Sequence, residues 1–177
     1  MALNTKDIFD FYDLRMLCHI NSVNYFAGLF GRQFPEHDND KFSDSMRNGY
    51  AYVFYNTYYK NFDISDEQII ACNAVKYQHH KNATHHIEHY DMVSDIPDTC
   101  LCEILCDCAA TNFEFLRIIQ QPGTLPLTEW FQQNMLQLPW NQKQMDIINK
   151  SLDILDKNSN FDTVTEIWQT LLAKLNS

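Results

Sequence analysis

Segments whose apolar side chains recur every three or four residues alternate along this chain with short polar breaks, and that spacing predicts helices throughout. From Asn4 onward Phe9, Tyr12, Met16, His19, Val23, Phe26 and Phe30 share one stripe, closed by Gly31 and Pro35. A second helix runs through Met46, Tyr50 and Val53 toward an aromatic stretch over residues 55–62, with Asp38 or Asn39 as its candidate cap. Ser65 and Gln68 have capping-box spacing and open a third helix through Ile69, Cys72 and Val75 to His79 and His80. Pro97 and Asp98 start a fourth, from Thr99 to about Ile119, which ends before Pro122-Gly123. Further helices are expected over 128–138, over 141–155 and after Asp162, the last with Thr163 and Glu166 at capping-box spacing. No stretch alternates with period two and no internal repeat is present. The expectation is one all-α domain over residues 1–177, a bundle of about six to seven helices, with residues 128–175 as scaffold or a substrate-side wall.

One break in this pattern carries chemistry. Five of the seven histidines fall between His79 and His89. Neutral imidazole is the commonest side-chain ligand for iron, zinc, nickel and copper, so the cluster asks for a metal. His79 continues the Cys72 and Val75 face, and the break at residues 81–84 lets His85 and His86 return toward the same point. Of the other two, His19 stands inside the apolar stripe of the first helix and His37 is followed directly by Asp38. Glu103 and Asp107 lie one turn apart in the otherwise apolar fourth helix, which acids occupy only if something cationic faces them.

Charge and length narrow the options. A chain of 177 residues can bury about 70% of its unfolded surface without a structural metal, so a metal here serves chemistry. A formal charge of -10 argues against a surface for duplex nucleic acid or an anionic membrane. It does not exclude a small phosphorylated substrate, because bound divalent ions reverse the local field. The first residues lack the apolar core of a signal peptide, and no run is long enough to span a bilayer, so a cytoplasmic protein is expected. Cys100, Cys102, Cys106 and Cys108 could form a zinc site, but inside a helix they point in different directions and read as small buried hydrophobes.

In order, the chain offers His19, the doublet His37-Asp38, His79-His80, His85-His86 and Asp107. This series resembles the HD-domain superfamily of metal-dependent phosphohydrolases. His37-Asp38-Asn39-Asp40-Lys41 has the H-D-x-x-K form of the branch that hydrolyses cyclic dinucleotides, and the extra histidines resemble the binuclear members. His19-Ile20 and residues 37–42, 79–90 and 103–109 also look like a group of small bacterial and phage proteins of unknown function, so that the resemblance spans about residues 14–112. Asp40 stands where that group often has serine, Cys108 replaces a tryptophan, and the glycine-tyrosine-proline motif of the cyclic-dinucleotide branch is absent.

The resemblance implies an HD-type bundle in which His19, His37, Asp38 and Asp107 ligate one metal. Asp38 would bridge to a second, held by one of His79 and His80 and one of His85 and His86. Mixed histidine and carboxylate ligation suits iron or manganese, with zinc, nickel or cobalt as alternatives. Lys41 would offset phosphate charge, and Glu103 would orient a ligand or accept a proton, with Asp38 completing the catalytic set. Glu88 and His89 are outer or structural groups. The implied activity is hydrolysis of a nucleotide or another small phosphorylated metabolite. The alternatives are a mixed-valent di-iron oxygenase of the same fold, and a non-catalytic protein that sequesters a nucleotide signal and meets a partner through the acidic stretch at residues 91–98. The aromatic run from Tyr50 to Tyr55, with Tyr58 and Tyr59, reads as core packing in preference to a base-stacking pocket.

Overall fold

The stripe on the first helix becomes the spine of the molecule. The computed structural model describes residues 4–59 and 63–175, and every regular element among them is helical. Helix α1 (Thr5–Gly28) packs against α2 (Asp44–Tyr59), α4 (Asp98–Phe113) and α7 (Phe161–Leu175). Helix α3 (Asp66–Asn82) lies on α2, and α6 (Gln142–Asn158) packs on α4 and on the short α5 (Leu127–Asn134). The result is the expected single bundle, with seven α-helices among the described residues. None of them is long and apolar enough to cross a membrane.

Tyr12, Met16, His19, Val23 and Phe26 are buried on α1, together with Phe11, Arg15 and Cys18 from its flanks. The helix is therefore covered on more than one side. From α7, Trp168 is fully buried against it and donates its indole N–H to Ser22 Oγ at 2.9 Å, so the largest C-terminal side chain has its polar atom satisfied. Tyr12 stacks on Phe54, and Phe11 meets Tyr55, Tyr58 and Tyr59 edge to face. The aromatic run packs α2 onto α1, as its pattern suggests.

Helix ends follow local chemistry. The Ser65 and Gln68 capping box is present, and Asn141 with Gln144 forms a second that opens α6. Three expectations are corrected. Asp38 and Asn39 do not cap α2: a short 3-10 turn (Asn39–Phe42) intervenes, and Asp38 sits at φ 58 with no capping hydrogen bond. Its carboxylate is engaged elsewhere. Thr163 does not cap α7, because the helix has already begun at Phe161, and Asn160 Oδ1 accepts from the amides of Asp162 and Thr163 at 3.1 and 3.3 Å. The fourth helix reaches Ile118 only by widening after Phe113, where the Ile119 amide bonds the Glu114 carbonyl five residues back at 2.9 Å. The end of the aromatic stretch at residues 60–62 lies outside the described residues.

Helices α2 and α3 meet at Gly49. A Cβ there would stand 2.4 and 2.8 Å from the two methyl carbons of Val75 and 3.2 Å from the Ala71 carbonyl oxygen. Valine is stiff at χ1 and cannot retreat freely. Gly49→Ala is expected to destabilise the protein by about 1–3 kcal/mol, read as a lower thermal midpoint by circular dichroism. Adding Val75→Ala should recover part of the loss, and an unchanged midpoint in Gly49→Ala would show that the helices separate at no cost.

Candidate metal centre

Five segments deliver the candidate ligands to one point. His19 projects from the middle of α1, His79 from the last turn of α3, and Glu103 and Asp107 from successive turns of α4. His37 and Asp38 come from the loop before α2, which is fastened to α1: Asn24 accepts from the Phe34 amide at 2.7 Å and donates to the Phe34 carbonyl at 3.2 Å. Tyr12 donates its hydroxyl to the Lys41 carbonyl at 3.0 Å on the other side of the doublet. Asp38 adopts a left-handed backbone, a conformation that aspartate tolerates better than most residues. The break after Asn82 then returns His85 and His86 beside His79.

The two oxygens of Asp38 face two different ligand sets. Oδ2 lies 3.5 Å from His19 Nε2 and 3.6 Å from His37 Nε2, and Asp107 Oδ1 stands 3.1 and 3.8 Å from the same two nitrogens. Oδ1 lies 3.1 Å from His79 Nε2 and 3.3 Å from His85 Nε2. Two donors each about 2.1 Å from one ion and 90–110° apart are separated by about 3.0–3.4 Å, so these spacings are close to the edges of coordination polyhedra. Asp38 Oδ1 and the Nε2 atoms of His37, His79, His85 and His86 are also buried without a hydrogen-bond partner. Buried polar atoms left unpaired are costly and rare. Five of them converging on two points fit a site built for ions.

The outer nitrogens are held so that the inner ones stay free. His37 Nδ1 bonds Glu103 Oε1 at 3.0 Å, and His79 Nδ1 bonds Asp40 Oδ2 at 2.8 Å. An ionised carboxylate only accepts, which places the imidazole proton on Nδ1 and the lone pair on Nε2. Glu103 Oε1 also lies 3.5 Å from His85 Nδ1, so one carboxylate stands behind a ligand of each set. Burial would raise the pKa of Asp38, but the Lys41 charge and the His79 and His85 rings against it hold it well below the usual carboxylate range. Asp107 is likewise depressed, with burial outweighed by its contact with His19 and by His37 nearby. Burial lowers His19, and it takes His86 down to about 2, keeping both rings neutral. Burial opposes the charged forms of His37 and His79, but the carboxylates beside them, Glu103 at His37 and Asp38 and Asp40 at His79, outweigh it and raise both.

His79 and His80 occupy different surroundings. His79 is fully buried on Asp38, whereas His80 is half-buried, pairs its Nδ1 with Glu88 at 3.0 Å and stacks on His86 at 3.9 Å and 9°. Rings that parallel cannot both aim an in-plane lone pair at one ion, so His80 supports His86 from outside the Asp38 cluster. His85 contacts Asp38, and the ligand atoms of His79, His85 and His86 lie within 4.8 Å of one another. His89 bonds the Lys81 carbonyl at 2.9 Å and holds the return loop. No ligand-spaced group among the described residues includes a cysteine.

A cavity of about 470 Å³ opens onto His37, Asp38 and His85 and is walled by residues 33–36, Asp40, residues 82–84 and Glu103. No residue of α5, α6 or α7 lines it. Lys41 does not line it either: its ammonium bonds Asp38 Oδ2 at 2.8 Å and lies 5.6 Å from the Tyr50 ring centroid. Its charge is spent on the Asp38 carboxylate instead of reaching into the cavity.

Two supports lay outside the sequence reading. Asp40 braces His79. Behind His19, Glu114 is buried, bonds Arg15 at 2.8 and 2.5 Å, accepts from the Tyr58 hydroxyl at 2.6 Å and lies 4.0 Å from His19 Nδ1. The available signal was an acid between Phe113 and Phe115 and an arginine between Leu14 and Met16, both charges set in apolar helical sequence.

These contacts predict the metal stoichiometry. By inductively coupled plasma mass spectrometry, the wild type is expected to hold about two ions per chain; His79→Ala should lose about one and His80→Ala should keep both, as the donor sets of the two positions require. Equal loss in the two variants would overturn the assignment. Affinity should also depend on pH. The raised pKa values of His37 and His79 mean that protons compete with the ion at these nitrogens. Apparent affinity should therefore strengthen as pH rises through those values, by about tenfold per unit for each proton displaced. Asp38 and Asp107, already ionised, add no such dependence above pH ~4. Calorimetric titrations at pH 6, 7 and 8 would measure it.

Comparison with curated proteins and with solved structures finds no match. Residues 9–159 match a protein family, and this match runs from the second turn of α1 through α6 and includes every ligand described above. The chain belongs to that family, a family of unknown function (DUF5662).

Proposed function

We propose that the protein is a dinuclear metal hydrolase that cleaves phosphate from a nucleotide or another small phosphorylated metabolite, as its resemblance to the HD-domain phosphohydrolases implies. The observation that carries this reading is the Asp38 carboxylate, whose two oxygens face separate sets of histidine nitrogens, those of His37, His79 and His85 without hydrogen-bond partners, beside an open cavity. His19, His37 and Asp107 would hold one ion and His79 and His85, with His86 beside them, the other. Ions bound there supply a water of lowered pKa and positive charge for phosphate oxygens. Mixed histidine and carboxylate donors suit iron or manganese.

The chain's own groups do the rest. Asp38 fixes the spacing of the two positions, and Lys41 keeps it ionised through its 2.8 Å contact. Glu103 orients His37 and lines the cavity, where its free oxygen can accept a proton or a substrate hydroxyl. A cavity of about 470 Å³ falls within the range of small-molecule sites.

The test is phosphate release from a panel of phosphoesters by protein reconstituted anaerobically with iron or manganese, beside Asp38→Ala. Turnover should need the metal, proceed without dioxygen and fall by about a hundredfold or more in the variant, since the charge-stabilising ions are lost with it. Substrate-dependent oxygen uptake would replace this reading with the di-iron oxygenase, and stoichiometric binding without turnover would replace it with nucleotide sequestration.

A further inference from the structure

We infer that the cavity takes a substrate with a single terminal phosphate on a body that offers hydrogen-bond donors, hydroxyl or ammonium groups, and rejects polyphosphates and other multiply anionic ligands. This rests on the hydrolase reading and adds to it the class of substrate.

The inference comes from the charges that face the cavity. Glu36, Asp38, Asp40 and Glu103 line it, and none of the described lining residues is a lysine or arginine. The cation nearest the doublet, Lys41, is already bonded to Asp38 and does not face the cavity. Arg32 and Lys81, the sequence neighbours of Gln33 and Asn82, are exposed and lie outside the lining. Two divalent ions would be opposed by Asp38, Asp107, Asp40, Glu103 and Glu36, with Lys41 as the only further cation, and this brings the centre close to neutral. Such a centre accommodates the dianion of one phosphate at the ions and has no charge left for a second. Further phosphates would lie against Glu36 and Asp40, and like charges placed together in an interface are strongly unfavourable.

The same wall is well suited to donors. Glu36 and Asp40 are exposed enough to accept from a ligand while keeping their own contacts to Asn39 and His79. Gln33, Asn82 and Thr84 add neutral polar atoms, and Phe34 contributes an apolar patch. A sugar, nucleoside or amino alcohol bearing one phosphate presents hydroxyl or amine donors to such a surface.

The experiment compares phosphate release by manganese-loaded protein from ribose 5-phosphate, a nucleoside 5′-monophosphate and phosphoethanolamine with release from the matching nucleoside triphosphate, kept saturated with magnesium. Single-phosphate substrates are expected to be favoured in kcat/KM by about tenfold or more. Glu36→Gln, which keeps the hydrogen bond acceptor and removes the charge, should narrow that ratio. A triphosphate that is turned over equally well, or a ratio that Glu36→Gln leaves unmoved, would overturn the inference while the hydrolase reading stands. If protein holding two ions releases phosphate from none of them, the hydrolase reading fails instead. Calorimetry then decides the inference separately: inorganic phosphate binding more tightly than tripolyphosphate would uphold it, and the reverse order would overturn it.

Discussion

The structure depends on one buried carboxylate. Asp38 is almost wholly inaccessible and is held against four imidazoles and the Lys41 ammonium. A charge so placed is tolerable only if every lone pair meets a partner, since removing one partner of a buried ionic cluster typically costs about 3–5 kcal/mol. This requirement explains the loop around it. The left-handed turn at Asp38, the Asn24 clasp on Phe34 and the Tyr12 bond to Lys41 all fix the carboxylate between α1, the end of α3 and α4.

A second buried charge system sits behind the first. Arg15 and Glu114 are both buried, paired through two hydrogen bonds, with Tyr58 on Glu114 and the guanidinium 4.3 Å from the Phe54 ring centroid. The pair joins α1, α2 and the widened turn that follows α4. That turn displaces the backbone from α-helical register where Glu114 enters the core, as helices often do beside functional sites. The C-terminal helices pack α1 and α4 from outside through Ile148, Leu155 and Trp168. They contribute no ligand, yet they hold the two helices from which His19 and Asp107 project.

The helices were legible because each buries an apolar stripe of period 3.6, and so was the grouping of His19, His37, Asp38 and Asp107. Their order along the chain carries the resemblance that named them. The choice between His79 and His80 was not legible. Adjacent residues on a helix point about 100° apart, and which one faces inward depends on how α3 rolls against α2 at Gly49 and Val75, a tertiary contact. Lys41 illustrates the same limit. An ammonium three residues after an aspartate can reach into a cavity or fold back, and it folds back because the 3-10 turn brings it over Asp38. Thr163 failed as a cap because Asn160, three residues earlier, accepts the same class of amide and starts the helix first.

Electrostatics divide the molecule in a consistent way. The cations near the centre are used internally: Arg15 on Glu114 and Lys41 on Asp38, with Arg47 on Asp13 at the outer end of α1. Three acids close to the centre, Glu36, Asp40 and Glu103, line the cavity, and Asp107 stands behind them against His19 and His37. In a chain of formal charge -10 this arrangement is self-repelling unless cations enter. Ion binding would therefore relieve a repulsion as well as satisfy the histidines, and the field left over after binding is weak. A site of that kind owes its selectivity to how few negative charges its ligand adds, and only secondarily to the shape of its walls.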